Sequence, residues 1–267
     1  MTAFSLKKYW RESWAVARRI LTELFRRRRS LISWLIFPAL LLILNGLITA
    51  NGNGREMAVD AAFEMAAPPT LVGAALFFSC LGGGVATVVS EREQQTLKRL
   101  FLSPLSGVSY FLGIFLAHSV IGVGQTLVIF AIASIAGASF PGAAWPLAVL
   151  IIFLSILSYV GLGFMLGTQF ARRTEDVSAL IAAFGVPLMV LGGAFLPFSL
   201  FPPSLKKVAR FNPIYHMTEA LTNALLNTEN PLGDEGGHFW FLIVFAVFMV
   251  AVGWLSYQRM LVQERQL

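Results

Sequence analysis

Six runs of about twenty residues or more carry no Asp, Glu, Lys or Arg, and they limit the folds open to this chain more than any other feature. They are 31–50, 69–90, 108–137, 144–170, 177–196 and 239–257. At 1.5 Å per residue, about twenty helical residues cross the roughly 30 Å of bilayer hydrocarbon. A charge at mid-membrane costs about 2.5–3.5 kcal/mol on insertion scales, and all six runs avoid that cost. With 57% hydrophobic residues in 267, the chain reads as an all-α membrane protein with six transmembrane helices in one domain.

Lys and Arg set the expected orientation. With the N-terminus in the cytoplasm, 1–30, 91–107, 171–176 and 258–267 lie inside and hold sixteen of the twenty Lys and Arg. Arg55, Lys206, Lys207 and Arg210 fall outside. The bias follows the positive-inside rule, so both termini are expected to be cytoplasmic and 258–267 to be a short tail. The net charge of +6 thus reports topology rather than nucleic acid. The basic lead of 30 residues and an apolar run of about 20 exceed the signal-peptide pattern, so the first span is expected to be retained.

Residues 1–30 are expected to form an amphipathic helix in the membrane interface. Leu6, Trp10, Trp14, Ala17, Leu21 and Leu24 cover about 80° of a helical wheel, with Lys7, Lys8, Arg11, Arg18 and Arg19 on the other side. Arg26 to Arg29 then meet the first span at headgroup level, where each charge adds about 1 kcal/mol of attraction to anionic lipid.

Between the second and third runs stands EREQQTLKRLFLSPLS, residues 91–106, with five charges in its first nine positions. As a helix it puts Leu97, Leu100, Phe101 and Pro104 on one face and Arg92, Gln95, Lys98 and Arg99 on the other; Pro104 stops it. By pattern alone it is a short amphipathic inner helix or a solvated loop.

Its continuation, EREQQTLKRLFLSPLSGVSYFLGIFLAH, resembles the signature of ATP-binding-cassette permeases of the type-2 family, the bacterial drug, polysaccharide and lipid exporters. A second block, GGAFLPFSLFPPSLKKVARFNPIYHMTEAL at 192–221, resembles that family's region between the fifth and sixth spans. The resemblance covers essentially the whole chain. It implies a type V ABC exporter-like fold in the bacterial plasma (inner) membrane. It implies that 91–106 is a coupling helix docking on an ATPase subunit, with Glu91, Arg92, Glu93, Thr96, Leu97, Leu100, Phe101 and Pro104 forming it. Arg172 and Arg173 in the next inner turn are a second cytoplasmic contact or a topology anchor. The ATP-cradling motif G-x-x-x-x-G-K-[ST] does not occur, so ATP and Mg would be bound by a separate ATPase chain, with two permease and two ATPase copies. No cofactor or metal is expected in this chain.

Residues 197–238 hold Pro197, Pro202, Pro203 and Pro213. They are expected to form a re-entrant or interfacial helical pair, Ser204–Phe211 and another from Asn212-Pro213, or a simple outer loop. Pro197, Asn212 and Pro213 are the outer-gate candidates. Polar residues within the spans are few, and Asn45, Gln125, Thr126, Ser158 and Tyr159 are either helix–helix glue or the lining of a path. His118 reads as a packed neutral histidine before a proton relay, Cys80 as a small packing residue, and the Gly161, Gly163 and Gly167 cluster as a close-packing face. An intramembrane enzyme would need paired acid/base or metal groups, and none of His118, His216 and His238 has metal-site spacing. An ion-coupled secondary transporter or channel usually needs an intramembrane carboxylate, which no span contains. An amphipathic drug, a lipid or a lipid-linked glycan suits these apolar, aromatic-rich spans.

Overall fold

The structure is a computed structural model. It describes residues 3–26, 28–51, 57–96, 105–140, 143–171, 173–196, 198, 201–233 and 236–266. Helices α1 (Ala3–Arg26), α2 (Arg28–Asn51), α3 (Val59–Glu93), α4 (Gly107–Ile135), α5 (Trp145–Gln169), α6 (Thr174–Leu191), α7 (Pro203–Ala209), α8 (Pro213–Leu226) and α9 (Gly237–Gln266) make up the architecture. Six of them, α2 to α6 and α9, are long and apolar enough to cross a membrane.

Several ends are set by local chemistry. Ser106 caps α4 by accepting the Ser109 N–H at 3.0 Å. Pro146 sits in the first turn of α5, where its missing N–H costs nothing. The expected fifth span ends early, at Leu191, because Gly193 adopts φ +85 and turns the chain. Two ends run longer than their apolar runs. α3 starts at Val59, before Pro68-Pro69, and becomes π-helical over Leu71–Gly82. Two consecutive missing N–H groups precede the widened turns. α9 continues to Gln266, so the expected tail is helical.

α3 is the spine. In its most apolar stretch 83% of residues are buried, against 17% for α6 and 28% for α2 and α9. It packs against α2, α4, α5, α6 and α8. Small residues let backbones approach: Gly163 and Gly167, one turn apart on α5, face Leu81 and Val85 of α3. Gly161 points to the other side of α5 and meets Gly253 of α9, and a Cβ added there would stand 2.6 Å from the Met249 carbonyl oxygen.

α1 packs against α4 and α2. Its buried side is Ser13, Val16, Ala17, Ile20 and Leu24, while Trp10 and Trp14 are exposed. The face packed on the bundle is therefore offset by roughly 60° from the Trp/Leu stripe, at 100° per residue. Gly113 of α4 explains the shift: it lets Val16 and the Ser13 carbonyl approach to within the space of a methyl group. His118 is fully buried, its Nδ1 donating to the Ser79 carbonyl at 3.1 Å and its Nε2 accepting from the Thr87 hydroxyl at 3.2 Å. That is a satisfied neutral imidazole joining α4 to α3. Cys80 is buried beside it.

Candidate functional site

Three consecutive charged residues end α3, and consecutive helical positions point about 100° apart. Each therefore meets a different neighbour. The Glu91 carboxylate is buried; it pairs with the Arg19 guanidinium of α1 and accepts the Tyr110 hydroxyl of α4. Arg92 donates to the carbonyl oxygens of Gly167, Thr168 and Ala171 at 3.3, 3.4 and 3.4 Å. The first two are orphan carbonyls at the negative end of α5, where a cation belongs, and Ala171 lies just past that end. Glu93 turns to the opposite pole of a helix: it accepts the Thr174 N–H at 3.0 Å and the Thr174 hydroxyl at the start of α6. A second tie backs the first, because Glu12 of α1 accepts the Ser109 hydroxyl at 2.7 Å.

The chain then turns. Gln94 and Gln95 leave the helix, and Gln95 has φ 55. The expected single helix over 91–106 is thus divided: Glu91 to Glu93 are the last residues of the second span, and a turn separates them from Thr96. The expected charged rim changes accordingly, since Glu91, Arg92 and Glu93 all bind within their own chain. Leu97, Leu100, Phe101 and Pro104 lie outside the described residues, as do Arg172 and Pro197. Arg173 precedes α6, its N–H donating to Asp176 at 2.9 Å.

The five candidate path residues spend their polar groups on helix contacts. Asn45 donates to the Ala194 carbonyl at 2.8 Å, Gln125 to the Trp34 carbonyl at 3.0 Å and Tyr159 to the Val72 carbonyl at 2.8 Å. Thr126 and Ser158 bond back to Gly122 and Leu154 on their own helices. None of the five bonds another among the described residues. The Gln125 Oε1 is buried with no partner there.

Asn212 and Pro213 start α8 as a cap and first residue. The Asn212 Oδ1 accepts the Ile214 N–H at 3.0 Å and its Nδ2 donates to the Leu188 carbonyl of α6 at 2.6 Å. Pattern reading missed Arg19, Tyr110 and Thr174. Tyr110 follows the break closely enough to have been paired with Glu91; nothing in the local sequence marks Arg19 among its many basic neighbours.

Six apolar helices, one of them a buried spine, define a multi-pass all-α membrane protein. The family model described as ABC-2 family transporter protein matches residues 53–255, and the chain belongs to that family. Its relatives are distant. "Inner membrane transport permease YadH" of Escherichia coli (strain K12) is 24% identical over 89% of this chain and 92% of its own length. "Probable multidrug ABC transporter permease YbhR" of the same organism is 26% identical over 65% of this chain and 46% of its own length. The candidate transport permease YvfS of Bacillus subtilis (strain 168) is 26% identical over 52% and 58%. The chain thus spans about half the length of the last two. It is a multi-pass membrane protein of the ABC-2 transporter family.

Proposed function

We propose that this chain is the membrane subunit of an ATP-driven exporter, working as two permease copies with two copies of a separate ABC ATPase that binds ATP and Mg. The cargo class is an amphipathic drug, lipid or lipid-linked glycan, moved outward by alternating access, with both termini and the α1 end of the bundle in the cytoplasm. Family membership supports the ATPase partner. The name of YbhR supports a drug among the cargo classes.

The observation that carries the reading is the junction at the end of α3. One helix end is bonded at once to α1, α4, α5 and α6. The segment that follows it, through Thr96, Leu97, Leu100, Phe101 and Pro104, docks on the ATPase. Glu91, Arg92 and Glu93 act behind it, passing its displacement to four helices together. Arg172 and Arg173 form a second contact beside it. α1 lies in the membrane interface, with Trp10 and Trp14 on its exposed side. At the other end α7 and α8 form a re-entrant cap, with Pro197, Asn212 and Pro213 at its gate. Gln125, whose Oε1 is unpartnered among the described residues, is the leading candidate among Asn45, Gln125, Thr126, Ser158 and Tyr159 for touching cargo.

The test is co-expression with ABC ATPases of the source genome, starting with any encoded beside this chain, followed by reconstitution in nanodiscs. The expected result is a co-purifying complex whose ATPase activity depends on this chain, with Leu97→Glu abolishing that dependence. No complex with any of these ATPases, or unchanged stimulation by Leu97→Glu, counts against the reading.

A further inference from the structure

His216 near the start of α8 and His238 at the start of α9 are 22 residues apart, yet their Nδ1 atoms stand 2.9 Å from each other. The His216 Nε2 lies 2.8 Å from the Arg210 carbonyl oxygen, which only accepts, so Nε2 carries the proton and Nδ1 presents a lone pair. His238 then donates from its own Nδ1. Both rings are held in place: His216 stacks on Phe241 with centroids 3.9 Å apart, and Tyr215 meets His238 edge-on at 5.4 Å. Burial lowers the His216 pKa, with the Arg210 carbonyl opposing, which favours the neutral imidazole.

Three features of this pair are those of a metal site. A ligating histidine characteristically donates its other ring N–H to a backbone carbonyl, as His216 does to Arg210. Two imidazole nitrogens on a tetrahedral zinc, at about 2.0–2.1 Å each, are roughly 3.3 Å apart, so the ion enters when the pair opens by a few tenths of an ångström and each ring turns by roughly 35° to aim its lone pair at the metal. Imidazole nitrogen also suits zinc, nickel and copper over calcium or magnesium.

We propose that His216 and His238 bind a divalent ion of the zinc, nickel and copper class through their Nδ1 atoms. On binding, His238 gives its Nδ1 proton to solvent and takes one from solvent at Nε2, so the change of tautomer releases no net proton. Among the described residues no group of three or more His, Cys, Asp and Glu side chains is placed to hold a metal, so the two imidazoles are the described ligands. Such a two-ligand site is weak and reversible. The ion clamps α8 to α9, which joins the helices at the α8 end of the bundle to the last span. This inference stands independently of the transport reading, because the site needs neither cargo nor ATPase.

The experiment is a Zn2+ titration of the purified full chain, without a histidine tag, against a chromophoric chelator. One site per chain is expected, weakened by at least about tenfold in His216→Ala and in His238→Ala, in the range lost on disturbing a metal shell. No saturable site, or a site untouched by both substitutions, overturns the proposal. Should the variants fail to fold, the unsubstituted chain still decides it. Zn2+ is expected to protect His216 and His238 from diethyl pyrocarbonate, read by peptide mass spectrometry. Equal modification with and without Zn2+ overturns the proposal.

Discussion

At the end of α3 a carboxylate, a guanidinium and a second carboxylate each bind a different neighbour, whereas α8 is held by an amide and two imidazoles. The first set is charged and includes a buried ion pair, where removal of one partner strands the other. The second consists of neutral bonds, each contributing about 1 kcal/mol net. One end of the bundle is thus tied strongly to several helices, and the other by bonds that exchange at low cost. The proposed transport cycle, driven from one end and opened at the other, would need that asymmetry.

Arg19→Ala is the largest way to break the contrast. It leaves the buried Glu91 carboxylate without its cation and is expected to cost about 3 kcal/mol, read as a lower Tm of the detergent-solubilised chain. An unchanged Tm would mean the pair contributes nothing to this junction. Tyr110→Phe removes one hydrogen bond to a charged group, about 2 kcal/mol, and its loss should overlap with that of Arg19→Ala when the two are combined. Strict additivity would show that Glu91 does not unite them.

Asn212→Ala tests the other end. It removes a helix cap and the bond to Leu188, together about 1–2 kcal/mol. A loss equal to that of Arg19→Ala would erase the asymmetry. The smallest effect is expected for Glu93→Ala, whose carboxylate is exposed. Faster amide exchange confined to Thr174 is the expected signature, and global destabilisation would contradict it.

The spans are legible in the sequence because an uncharged apolar run of that length has no other stable use. The start of α8 is legible for a local reason too, since Asn then Pro is a cap followed by a first-turn residue. Contacts made at a distance are not. Glu91 reads as a rim charge because nothing in 91–106 shows that Arg19 will arrive from α1. The side of α1 that packs on the bundle is not legible either, because it is decided by the missing side chain of Gly113, which admits Ser13 and Val16. His216 and His238 follow no motif; only the fold pairs them.

The bonds of the three charged residues at the end of α3 also fix a length. Deleting one residue between Gly82 and Ser90 would swing Glu91, Arg92 and Glu93 about 100° around the axis and retract them about 1.5 Å. All three partners would be lost together, and a continuous helix has no slack to restore them. Insertions and deletions among natural relatives should therefore fall in the connections between helices, and this stretch of the spine should keep its residue count even where its composition drifts.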